Sequence, residues 1–69
     1  MKSKICERIK ELRLENKITQ GELAEKCLVQ QSCVSKWERG ATLPDADMIV
    51  KLTKIFKVSS DYLLGIDEY

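Results

Sequence analysis

Sixty-nine residues make one domain, near the lower size at which a core holds without disulfide or metal staples. An apolar fraction of 43% beside a charged fraction of 33% describes an ordinary globular chain and excludes a disordered tail or a membrane span. Twelve Lys and Arg against eleven Asp and Glu leave a net charge of +1, which by itself names no partner.

The N-terminus carries Lys2 and Lys4 but no apolar stretch behind them, so it is not a signal peptide. Apolar runs such as Met48-Ile49-Val50 fall far short of the roughly 20 residues that cross a bilayer, so a cytoplasmic protein with no membrane partner is expected. Cys6, Cys27 and Cys33 are an odd set without a CxxC pair, and histidine is absent. That arithmetic fits neither a disulfide framework nor a metal site, and no cofactor is expected. Each thiol falls at a helical apolar position, where it behaves as a small hydrophobe; redox sensing is the alternative. Without histidine there is no nucleophilic triad and no His-assisted acid-base pair, so the chain is not read as an enzyme.

In chain order, Ile5, Ile9 and Leu12 recur at spacings of four and three, one helical face, with charged residues around the rest. The spacing predicts a first helix over about residues 3 to 16. Thr19-Gln20-Gly21-Glu22 is a capping box, with Ile18 and Leu23 as the hydrophobic staple, so a second helix starts at Gln20. Leu23, Ala24 and Cys27 form its apolar face. A third segment, about 30 to 38, places Val34 and Trp37 inward and Gln31, Ser32, Ser35, Lys36 and Arg39 outward, and Gly40 suits a left-handed cap. Trp37, in phase with Val34, reads as packing rather than a stacking platform. Pro44 and Asp45 open a fourth helix, whose Met48, Ile49, Leu52, Ile55 and Phe56 make the most apolar stripe of the chain. Val58-Ser59 and Leu63 repeat the staple and cap grammar for a fifth helix stopped at Gly65. Residues 1–65 thus form an all-α, five-helix domain, and 66–69 a short tail.

Two short helices about three residues apart, the second polar outside, are the sequence form of a helix-turn-helix. Gln31, Ser32 and Lys36 are uncharged or cationic and lie near the start of their helix, the residue chemistry that reads base edges in a major groove.

Thr19-Gln20 with Glu22-Leu23-Ala24, then Val34-Ser35-Lys36-Trp37-Glu38-Arg39-Gly40, Pro44, and Val58 through Gly65 together resemble the lambda-repressor-like helix-turn-helix family, the Cro and phage-repressor type. The resemblance covers about residues 4 to 65. It implies a five-helix domain that binds double-stranded operator DNA as a homodimer on a pseudo-palindromic site and regulates transcription, often as a repressor. By family position, Gln31, Ser32 and Lys36 correspond to base contacts, and Thr19, Gln20, Ser35, Arg39 and Thr42 to backbone contacts. Arg13 and Glu38, surface charges on composition alone, correspond to a buried ion pair between helices one and three. Two departures stand out. Leu28 replaces the usual turn glycine, which either strains the backbone or alters the turn. Ala41 and Thr42 replace the usual basic loop residues.

Tyr62, Leu63 and Leu64 cannot all face inward from a single turn, so a dimer seam of Tyr62, Leu64 and Ile66 is expected. Residues 1–40 hold nine basic and six acidic side chains, a net +3, while 41–69 hold three and five, a net −2. The helix-turn-helix half is the cationic one, so few phosphates are neutralised per copy and non-specific grip should be weak. The chain leaves no room for a sensor domain, and no small-molecule ligand is expected. The alternative function is a protein-interaction module of the same fold, an antitoxin-like or scaffold subunit, favoured by Leu64, Ile66 and Tyr69.

Overall fold

A computed structural model describes residues 4–66. Five helices follow one another: α1 (Lys4–Glu15), α2 (Gln20–Cys27), α3 (Gln31–Arg39), α4 (Ala46–Phe56) and α5 (Ser60–Leu64), with no strand among the described residues. The predicted bounds shift by a residue or so. Gln30 lies outside α3 as its N-cap, and Asp45 is the N-cap of α4 rather than part of its first turn. Tyr69, invoked for the interaction module, lies outside the described residues.

Local chemistry explains most of the starts. Thr19 Oγ1 accepts from the Glu22 N–H at 3.0 Å while Glu22 Oε1 accepts from the Thr19 N–H at 2.8 Å, a reciprocal box. Asp45 Oδ1 accepts from Met48 N–H at 2.9 Å and Ser59 Oγ from Tyr62 N–H at 3.0 Å. The stops are less conventional. Gly40 and Gly65 end α3 and α5 in left-handed backbone, and at Gly65 a Cβ would also collide with the Lys4 side chain. Lys17, Leu28 and Lys57 adopt the same left-handed conformation with φ near 60°, where glycine would be unstrained. Leu28 resolves the open question about the turn: its geometry is kept, with φ 61° and ψ 41°, and the strain is accepted.

The core forms where α1 meets α3 and α5, α2 meets α3 and α4, and α4 meets α5. Ile9, Leu23, Cys27, Val34, Leu52 and Leu63 are fully buried there, joined by Ile5, Cys6, Leu12, Trp37 and Phe56. Burying such side chains contributes about 1.5–3 kcal/mol each, which is how so small a domain holds its shape. Trp37 packs inside. The Arg8 guanidinium lies 4.2 Å from the centre of the Tyr62 ring, a cation–π contact that ties α1 to α5. Cys6 and Cys27 are buried, and burial pushes the Cys27 thiol up despite the nearby Lys51 ammonium, which keeps it protonated. No described helix is long and apolar enough to cross a membrane.

Candidate nucleic-acid interface

α2 and α3 begin next to each other, which brings Thr19, Gly21 and Gln31 together. The Gln31 side-chain oxygen lies 3.6 Å from where a Cβ would stand on Gly21, and Thr19 Oγ1 lies 3.8 Å from that point. The first side chain of α3 thus lies beside the first turn of α2, at ordinary contact distance. Gln31, Ser32, Lys36, Arg39 and Thr42 are exposed, while Ser35 and Gln20 are half-buried.

This face has a consistent electrostatic character. α3 has no acidic residue in its first turn, and its N-cap Gln30 makes no side-chain capping bond. Its first amides therefore keep the partial positive charge of a helix start. Lys36 and Arg39 add formal charge further along. The only carboxylate of α3, Glu38, is 8% exposed and points into the protein. The exposed surface of α3 is therefore neutral to cationic along its length.

Glu38 is held by a bidentate pair. Arg13 Nε donates to Glu38 Oε2 at 2.6 Å and Nη2 to Oε1 at 3.1 Å, while Arg13 Nη1 donates to the Ile18 carbonyl at 3.0 Å. Charge-assisted bidentate geometry of this kind fixes orientation as well as distance. Burial pushes the Glu38 carboxyl up, but hydrogen bonds from Arg13 and Gln20 outweigh it and hold the carboxyl below its usual range. Arg13 is raised in turn, chiefly by its bond to Glu38, and stays cationic. The pair joins the last turn of α1 to the end of α3, so it sets where α3 lies.

Two features had no local signal in the sequence. Gln20 Nε2 donates to Glu38 Oε1 at 3.0 Å across 18 residues, so the amide read as a backbone contact is already held by the buried pair. Lys51 Nζ on α4 donates to the Cys27 carbonyl at 3.1 Å, capping the end of α2. The Thr19 hydroxyl accepts a bond as N-cap and retains its proton for donation. Beyond Gly40 the loop folds back, with Ala41 N–H donating to the Lys36 carbonyl at 2.9 Å, which leaves Thr42 exposed beside α3.

The residues expected at a dimer seam lie on and just after α5, which packs against α1 and α4. Leu64 is 39% and Ile66 65% exposed, whereas Tyr62 is half-buried under Arg8. No group of three His, Cys, Asp or Glu that could hold a metal ion occurs among the described residues.

Residues 9–63 match a protein family described as helix-turn-helix. Over 61 residues the chain is 44% identical to the HTH-type transcriptional regulator ImmR of Bacillus subtilis, covering 88% of this chain and 48% of ImmR. A crystal structure of the P22 c2 repressor in complex with a synthetic operator superposes with a TM-score of 0.85 at 36% identity, covering 91% of this chain and 96% of that one. A transcriptional regulator from Listeria innocua superposes at TM-score 0.89 and 26% identity, over 100% of this chain and 64% of that one. The chain spans about half the length of ImmR, so it corresponds to one part of such a relative.

Proposed function

This chain belongs to the helix-turn-helix family of the lambda-repressor-like type, and from that premise we propose that it is a sequence-specific DNA-binding regulator of transcription. The observation that carries the proposal is the exposed face of α3, free of carboxylates, beginning beside the start of α2. In this reading α3 enters the major groove. Gln31, Ser32 and Lys36 meet base edges there, and the Gln31 amide has the donor and acceptor pair that matches adenine. Thr19, Gln20, Ser35, Arg39 and Thr42 contact the sugar-phosphate backbone and fix register. The Arg13–Glu38 pair acts by position, since it joins α3 to α1 without itself reaching the surface.

The likeness to a repressor solved on its operator supports double-stranded DNA as the partner and repression as the mode of action. The chain acts by binding rather than by catalysis, in the cytoplasm where its DNA lies. Two copies are needed for two half-sites. One copy extends 30 Å along its longest axis, and half-sites are spaced about 34 Å apart, so a single α3 reads one groove segment only. Exposed Leu64 and Ile66 supply the apolar seam of the homodimer.

Selection from random duplexes, followed by a salt titration, tests the reading. A pseudo-palindromic motif should emerge, with a modest salt slope because each copy brings few cations. Enrichment of no motif would transfer the fold to the protein-interaction class.

A further inference from the structure

The turn that sets α3 against α2 is held from outside the helix-turn-helix. Leu28 caps α2 in left-handed backbone, a conformation that a side chain disfavours. Leu28 is 84% exposed, so its side chain gains little packing in return. The backbone closes over the turn as the Leu28 N–H reaches the Ala24 and Glu25 carbonyls and the Val29 N–H donates to the Ala24 carbonyl at 3.0 Å. The carbonyl of Cys27, in the last turn, lies beyond that closure and has no helical N–H to receive. It accepts instead from Lys51 Nζ at 3.1 Å, a half-buried ammonium brought in by α4. A cation at this end of a helix also opposes the partial negative charge of its last carbonyls.

We propose that Lys51 is a positioning residue for DNA recognition, clamping the end of α2 so that the strained turn presents Gln31 and Ser32 at one fixed angle to the groove. The proposal rests on the DNA-binding reading above, and it adds a determinant outside the two helices that meet DNA. Loss of the clamp leaves the Cys27 carbonyl without its donor and lets Leu28 relax toward unstrained backbone. α3 then samples several orientations, and specific contacts weaken more than the charge-driven ones.

Lys51→Met keeps the aliphatic stem and removes the donor. It is compared with wild type for affinity to the selected duplex across a salt series, and for backbone amide resonances without DNA, at a temperature where far-UV ellipticity shows both chains folded. Affinity should fall about tenfold, within the range that such coupled positions command. The salt slope should stay unchanged, and the resonances of Leu28 to Ser32 should shift. Adding Leu28→Gly, which removes the strain, should recover most of the affinity. Unchanged Leu28 to Ser32 resonances in Lys51→Met would overturn the clamp. So would a salt slope reduced by about one that Leu28→Gly does not restore, since that marks a direct phosphate contact. If the wild type selects no duplex, the DNA-binding reading falls by itself, and the resonances still decide the clamp. Lys51→Leu, which likewise carries no donor, gives the same readouts where Met is not tolerated.

Discussion

α2 and α3 start side by side and in opposite ways. At α2, Thr19 and Glu22 satisfy each other's backbone amides, and the helix start is closed. At α3, Gln30 makes no side-chain capping bond, the first turn has no carboxylate, and the side chains of Gln31 and Ser32 are exposed. A side-chain cap contributes about 1 kcal/mol, and α3 forgoes it. The two starts therefore differ in kind: one is closed by reciprocal side-chain bonds, and the other leaves its exposed side chains uncapped. What compensates α3 is tertiary, namely Val34 and Trp37 in the core and the bidentate Arg13–Glu38 pair.

The most severe way to break the contrast is to remove that compensation. Glu38→Ala leaves the Arg13 guanidinium buried without its carboxylate and should cost about 3–5 kcal/mol, read by chemical denaturation. A 69-residue domain has about 3–10 kcal/mol in total, so this variant should lose a large share of its stability and, at the low end of that range, unfold. The same group sets a pH dependence. Its carboxyl titrates lower in the folded protein than the unfolded value of about 4.3, so its stabilisation is complete above that value. It is lost as pH falls through the folded value. Thermal midpoints of wild type should therefore drop below about pH 4, and Glu38→Gln should show a smaller acid-dependent drop from a lower starting midpoint.

Gln31→Ala tests the open start directly. Binding to the selected duplex should weaken by about 1–3 kcal/mol, with discrimination relaxed at one base pair per half-site, and folding stability should barely change. Uniform weakening over all duplexes would assign Gln31 to the backbone. Thr19→Ala opens the closed start and should lower stability by about 1 kcal/mol in denaturant titrations. Gln30→Asp closes the open one. It should raise stability by about 0.5–1 kcal/mol while weakening DNA binding, because the new carboxylate faces the phosphates.

Legibility followed the range of the interactions. The capping box at Thr19, the cap at Ser59, the opening of α4 at Pro44 and Asp45, and the stops at Gly40 and Gly65 are each written within a few residues, and their helices could be placed from the sequence. The left-handed residues Lys17 and Lys57 were invisible, since neither is glycine and only the fold demands that backbone. Leu28 was visible only against the family pattern, as was the pairing of Arg13 with Glu38. Gln20 to Glu38 and Lys51 to Cys27 join positions 18 and 24 residues apart through tertiary packing. No periodicity or spacing announces them. The candidate face itself was readable because helical phase sorts Gln31, Ser32 and Lys36 from Val34 and Trp37. Its relation to the start of α2 was not, because that depends on the angle at Leu28.

On the proposed function, the open start and outer face of α3 are the part of this molecule that meets DNA. Titrating isotope-labelled protein with the selected duplex, and following backbone amides together with the Gln side-chain amide protons, tests it most directly. The largest shifts should fall at Gln31, Ser32 and Lys36, with smaller ones at Thr19, Gln20, Arg39 and Thr42. Shifts centred on Leu64 and Ile66, with the Gln31 side-chain amide unmoved, would contradict it.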